Sequence, residues 1–260
     1  MSTTFTYGGV RADDLAGVEG RLTEWPSLGG LELQVSDASG RNGRFYSGAT
    51  RGVLQVVFEV LITGESAEQT YQRRDMLIAA LDPHRGPRDL VIEGDEDWIL
   101  PEVVVAEEIN WERVIWRAGS PLSLRGDVVF ETTRIASARE ADPQVVSFTG
   151  TEAVTLEAGN TSTQPRMMIT PHSDEDELTV TVGSFELRVE RFSYWTGSHS
   201  LVLDWEQMSF YLADDAGRKV ASAVPAMSRY DWPTLHPGET VTVEVTPSRP
   251  VEFYPNARRI

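Results

Sequence analysis

Over most of the chain, apolar and polar residues alternate with a period of two, the pattern of strands with one buried face. The clearest run places Leu54, Val56, Phe58, Val60 and Ile62 on one face and Val53, Gln55, Val57, Glu59 and Leu61 on the other. A second strand is predicted just upstream in "LGGLELQVSD", and the Asn42-Gly43 pair between the two favours the positive φ of a tight turn. Further on, Leu90-Val91-Ile92 and Trp98-Ile99-Leu100 flank the acidic stretch "EGDED". That arrangement predicts a hairpin whose connection is Glu93 to Asp97.

One segment breaks the period. In "GESAEQTYQRRDMLIAALDP", Ser66 and Gln69 have the spacing of a capping box. Met76, Leu77, Ala80 and Leu81 then recur as a single apolar stripe, with Arg73 and Arg74 mostly off it. Asp82-Pro83 ends the helix, because a residue before proline is pushed out of the α region. The first region therefore reads as strands, one helix, then strands, an antiparallel pattern with a single helix.

The polar stretch "SAREADPQ", residues 137–144, reads as a linker. Beyond it no helical periodicity appears. "DELTVTVGSFELRVE", "HSLVLDWEQMSFYLAD", "RKVASAV", "ETVTVEVTP" and "PVEFYP" read as strands, separated by turn signals at roughly 8–12 residues, the spacing of a β-sandwich.

Composition narrows the function. The chain is 40% apolar with seven Trp, enough for a packed core. The opening "MSTTFTYGG" has neither the charged start nor the apolar stretch of a signal peptide. No apolar run approaches the ~20 residues of a membrane span. Without cysteine there is no disulfide, thiolate metal site or thiol nucleophile. Forty acids against 23 bases give a net charge of −17, which argues against a phosphate-binding surface. Solubility accounts for that charge, as does a surface that must not hold DNA.

No active site assembles from the sequence. Asp204 and Glu206 share a strand face by period two, and paired carboxylates serve glycosidases. However, the flanking acids of the three-acid pattern E-x-D-x-x-E are missing, with Val202 at the leading position. "HSDEDE", His172 to Glu177, offers oxygen ligands but lacks the calcium-loop spacing and reads as a solvated acidic turn. No glycine-rich phosphate loop precedes a helix, so neither cofactor nor metal is expected. Trp195, Trp205 and Trp232 are candidate glycan-contact aromatics, although core packing is the commoner role of Trp.

The order of these segments resembles the distal tail protein family of long-tailed, non-contractile phages. The resemblance rests on "FTYGGVRADDL", "SGRNGRFYSGATRGVLQVVFEVLITG", "SAEQTYQRRDMLIAAL", "DLVIEGDEDWIL", "GDVVFETTRIA", "EAGNTSTQPRMMIT", "LVLDWEQMSFYL" and "LHPGETVTVEV", in that order along most of the chain. Each motif is common by itself; their succession and spacing carry the likeness.

The resemblance implies a mainly β chain. Residues 1–136 would form a ring-building antiparallel β-sandwich with one α-helix, and residues 145–260 a galectin-like β-sandwich. It also implies a homo-oligomer, usually a hexameric ring, in the virion tail after synthesis in the host cytoplasm. Its partners would be the tail tube protein and the tail-tip hub protein. DNA would pass through the ring without specific binding, and neither a membrane nor catalysis would be involved. Glu93, Asp95, Glu96 and Asp97 are the candidate channel-facing acids. Two readings compete: a carbohydrate-binding sandwich using the three Trp residues, and a glycan hydrolase using Asp204 and Glu206.

Overall fold

The structure, a computed structural model, describes residues 3–25, 31–37, 44–117, 120–133, 137–171, 174–192, 195–196 and 198–260. The Asn42-Gly43 turn and His172 and Ser173 of the acidic stretch lie outside the described residues. The chain divides into two compact units, Met1–Ala141 together with Ile260, and Asp142–Arg259.

In the N-terminal unit the strands are β1 (Phe5–Tyr7), β2 (Val10–Arg11), β3 (Val18–Glu24), β4 (Leu31–Asp37), β5 (Arg44–Arg51) and β6 (Gln55–Thr63). The helix α1 (Ala67–Leu81) follows, then β7 (Arg88–Ile92), β8 (Trp98–Val105), β9 (Glu112–Arg117), β10 (Ser120–Thr132) and β11 (Ala138–Glu140). The main sheet runs β2-β1-β7-β8-β10-β6-β3, while β4 and β5 pair only with each other. β10 is shared: its first half pairs with β9 and its end with β8.

The sheet curls back on itself. The Leu22 N–H on β3, at one end of the order, donates to Thr3 O beside β1 at 2.9 Å. Phe5 on β1 meets Phe58 on β6 and Phe130 on β10, with ring centroids 4.7 and 5.0 Å apart. β1 neighbours neither β6 nor β10 in the sheet, so the Phe5 ring meets the other two across the layer between its two halves. The alternation predicted for residues 53–62 is obeyed: Leu54, Val56, Phe58, Val60 and Ile62 are all buried, and Val53 is exposed.

The helix starts as its cap predicts, with one change. The Gln69 N–H donates to Ser66 Oγ at 3.2 Å, but Gln69 Oε1 accepts from Glu65 N–H, one residue before the cap. Its buried side differs from the expected stripe. Leu77 and Leu81 are buried, as is Thr70, whereas Met76 is 54% exposed and Ala80 is half-buried. Arg73, expected off the stripe, is half-buried and donates to Thr63 O. Thr70, Leu77 and Leu81 are seven and four residues apart, which keeps them over one another at 3.6 residues per turn. Met76 is rotated about 100° from Leu77 and faces solvent.

The stretch read as a linker begins inside the first unit. Ser137 and Ala138 are buried, and β11 pairs with β8 through Arg139↔Ile99 and Glu140↔Trp98. Of its polar side chains, Arg139 reaches Asp89 at 2.7 Å.

The C-terminal unit is a β-sandwich. Its strands are β12 (Val146–Thr149), β13 (Thr151–Thr155), β14 (Arg166–Ile169), β15 (Glu177–Val182), β16 (Phe185–Glu190) and β17 (Ser200–Asp204). They continue with β18 (Ser209–Ala213), β19 (Lys219–Ser222), β20 (Met227–Tyr230), β21 (Thr240–Thr246), β22 (Pro250–Tyr254) and β23 (Arg258–Arg259). One sheet runs β12-β22-β14-β17-β18-β19, the other β13-β21-β15-β16-β20. Met167, Ile169, Leu201, Leu203 and Phe253 of the first are buried, as are Leu178, Val180, Val182, Val243 and Val245 of the second. Alternate positions along each strand thus supply the filling between two sheets.

Candidate functional site

The acidic hairpin forms where the sequence places it. β7 and β8 pair through Leu90↔Leu100 and Val91↔Ile99, leaving Glu93 to Asp97 as their connection. Leu90, Ile92 and Leu100 are buried and anchor its base. The turn closes on itself, with Asp95 N–H donating to Ile92 O and Trp98 N–H to Asp95 O, both at 3.1 Å.

The four acids are not equivalent. Glu93 is half-buried; it accepts from Thr4 N–H at 3.2 Å and pairs with Arg11. Much of its charge is therefore spent inside the fold. Glu96 and Asp97 are exposed and Asp95 is half-buried. Glu96 Oε1 accepts from the Gly94 N–H at 2.8 Å, and that bond holds its carboxyl below the usual carboxylate range. The hairpin presents a fixed cluster of negative charge rather than a metal site. Among the described residues, no group of three or more His, Asp or Glu side chains is placed to hold a metal ion.

The three Trp residues singled out as glycan contacts do not form a platform. Trp195 is 3% and Trp205 1% exposed. Trp195 stands edge-on to Phe192, with centroids 5.6 Å apart. Trp205, Phe210 and Trp232 form an edge-to-face series at 6.0 and 6.1 Å, and only Trp232 is half-buried. A sugar ring needs an open aromatic face, and Trp195 and Trp205 have their faces inside the protein.

The acids of "LDWEQ" also part company. β17 ends at Asp204, whose Oδ1 accepts from Gln207 N–H at 2.9 Å and starts the turn to β18. Glu206 lies in that turn, beyond the strand, so the shared face expected from period two is absent. Its carboxylate pairs with the buried Arg258. Of the "HSDEDE" acids, Glu175 is buried and pairs with Arg249. Both pairings consume carboxylates in structural contacts.

Asp204, Glu206 and Glu175 are thus engaged in separate local contacts, and the architecture is the most informative feature. No family model and no curated protein matches the sequence. Among solved structures, the SPP1 Dit (gp 19.1) protein, whose structure is described as a paradigm of the hub adsorption apparatus in phages infecting Gram-positive hosts, superposes with a TM-score of 0.72 at 14% identity. The superposition covers 100% of both chains. The chain has the fold of the SPP1 Dit protein. A chain of the phage P2 baseplate, in its activated conformation with Ca, matches at a TM-score of 0.50 and 10% identity, over 100% of this chain and 99% of that one. The superposition with the Dit protein thus spans both units. Among the described residues no helix is long and apolar enough to cross a membrane.

Proposed function

We propose that the protein is a structural component of a phage tail: a ring at the distal end that joins the tail tube to the tail tip and leaves a channel for DNA. The observation that carries this reading is the likeness to the SPP1 Dit protein along the full length of both chains. A likeness confined to one sandwich would support only a common β module. Here the superposition spans both units of the chain.

In this reading residues 1–136 build the ring and residues 145–260 form the second sandwich. The ring is a hexamer, held by a head-to-tail contact that closes after six copies. Its neighbours are the tail tube protein and the tail-tip hub protein, and the chain, made in the host cytoplasm, ends in the virion tail. Glu93, Asp95, Glu96 and Asp97 line the channel or its rim. The net charge of −17 suits a conduit, because like charge keeps a passing polyanion from adhering.

Sedimentation of the full chain together with negative-stain imaging tests the reading. The expected particle is annular, with about six times the 28.9 kDa mass of one chain. A chain that stays monomeric at every concentration and shows no annular particle, alone or mixed with tail tube protein, overturns it.

A further inference from the structure

The N-terminal unit carries a cleft that neither the sandwich cores nor the acidic hairpin explains. β8 leaves β10 after Ala106, whose N–H still donates to Val129 O at 2.9 Å. The chain then crosses over β10 and returns as β9, opposite Arg125 and Leu124. The crossing is close because residue 126 is glycine: a Cβ there would sit 2.8 Å from Ile109 Cγ2 and 3.0 Å from the Trp111 ring. Ile109 and Trp111 pack against the core with part of their surface left outside.

This crossing segment forms one wall, and the C-terminal half of α1 with the following turn forms the other. Between them lies a cleft of about 750 Å³. Ile78 and Val105 share its lining with Ile109 and Trp111, and Ile78 is 44% exposed. Ile78 lies on the flank of α1 turned away from Thr70 and Leu77, so the helix has a second apolar side that its own sheet does not cover. The remaining lining includes Asp75, Asp82, Glu107 and Glu108. Arg74 neutralises Asp75 at 2.7 Å, and the Asp82 carboxylate caps the following turn by accepting from His84 N–H at 2.9 Å. Glu107 and Glu108 are exposed and make no ion pair among the described residues.

We propose that this cleft docks a basic, apolar segment of a different protein, its aliphatic side chains against Ile78, Ile109 and Trp111 and its Lys or Arg beside Glu107 and Glu108. An apolar groove at an acidic edge selects a partner of opposite charge, since like charges meeting at an interface cost affinity. A second copy of the chain is the competing occupant, and sedimentation of the Ile78→Asp protein separates the two. The amphipathic occupant places apolar anchors in the groove and its charged positions at the rim. The assignment does not rest on the ring, and either can fail without the other.

The test uses the full chain and fluorescein-labelled peptides at physiological salt, read by anisotropy. The first peptide has alternating Leu and Lys, the second Glu for each Lys, and the third Ser for each Leu. The first is expected to bind saturably and the other two about tenfold more weakly or worse. Ile78→Asp and the Glu107→Lys/Glu108→Lys pair should each weaken the first peptide by about tenfold. Met208→Asp, at an exposed position in the C-terminal unit, should leave it unchanged. Equal binding to the Ile78→Asp protein, or equal binding of the Ser peptide, overturns the proposal. So does Ile78→Asp dispersing the protein's own oligomers in sedimentation, which would make the cleft a surface between copies.

Discussion

The Trp205 indole N–H donates to the Asp231 carbonyl at 3.2 Å, inside the C-terminal unit. A buried indole needs such a partner, because an unsatisfied donor carries its full desolvation penalty. The bond ties the turn after β17 to the segment after β20. Trp205→Ala is expected to destabilise the protein by about 3–5 kcal/mol in urea unfolding. A loss below about 1 kcal/mol would place the ring on the surface and return it to the list of binding residues.

The helix offers a paired comparison between adjacent residues. Leu77 is buried under α1 and Met76 points outward. Leu77→Ala should cost about 2–5 kcal/mol, while Met76→Ala should stay within about 0.5 kcal/mol. Equal losses at the two positions would mean that the helix is rotated from the orientation described.

Gly126 makes room for the segment that crosses β10. Gly126→Ala puts a methyl against Ile109 and Trp111, and overpacking of that kind costs about 1–3 kcal/mol. Adding Ile109→Ala removes the nearest obstructing atoms and should recover part of the loss. If the double substitution is as damaging as the sum of the two singles, the obstruction lies elsewhere, in the backbone near Asn110.

Glu206 and Arg258 form a pair with side-chain exposures of 19% and 8%. Arg258 already has Nε and Nη1 without protein partners. Glu206→Gln strips the compensating charge from a buried guanidinium and should cost about 3–5 kcal/mol. Glu206→Gln combined with Arg258→Met should be closer to the unsubstituted protein than Glu206→Gln alone. A stable Glu206→Gln protein would show that the pair is solvated.

The acidic hairpin gives a prediction for the channel. Replacing Asp95, Glu96 and Asp97 with Lys leaves the buried base of the hairpin untouched, so particle mass should not change. In the ring reading, those particles retain DNA at low salt and release it as salt rises, because the new bases displace counterions from phosphate. Triple-variant particles that ignore DNA at every salt concentration would put these acids on the outside of the ring.

The strands were legible because a pleated backbone sends successive side chains to opposite faces, so burial of one face writes a period of two into the sequence. Residues 53–62 and the β7–β8 hairpin are read correctly to the residue on that basis. The cap at Ser66 was legible for a similar local reason: only the backbone within one turn is involved. The dark side of the same logic is Glu206. Period two holds only while the strand lasts, and Asp204 ends β17 by accepting the Gln207 N–H.

What the sequence determined by itself was local: the strand at 55–63, the hairpin about Glu93 to Asp97, and where the helix begins and stops; Arg44–Arg51, read as part of a turn, is instead β5, paired with β4. Tertiary structure decided which faces are covered. Apolar residues flank α1 on more than one side, and only the sheet beneath Thr70, Leu77 and Leu81 selects the buried one, leaving Met76 in solvent and Ile78 on the cleft. The same holds for Trp195 and Trp205: the sequence offers both a sugar platform and the commoner core role, and the fold places both in the core. Burial is a property of what packs opposite a side chain: Phe192 and Phe210 are near neighbours in sequence, but the Asp231 carbonyl that satisfies the Trp205 indole lies 26 residues on, where no local pattern records it.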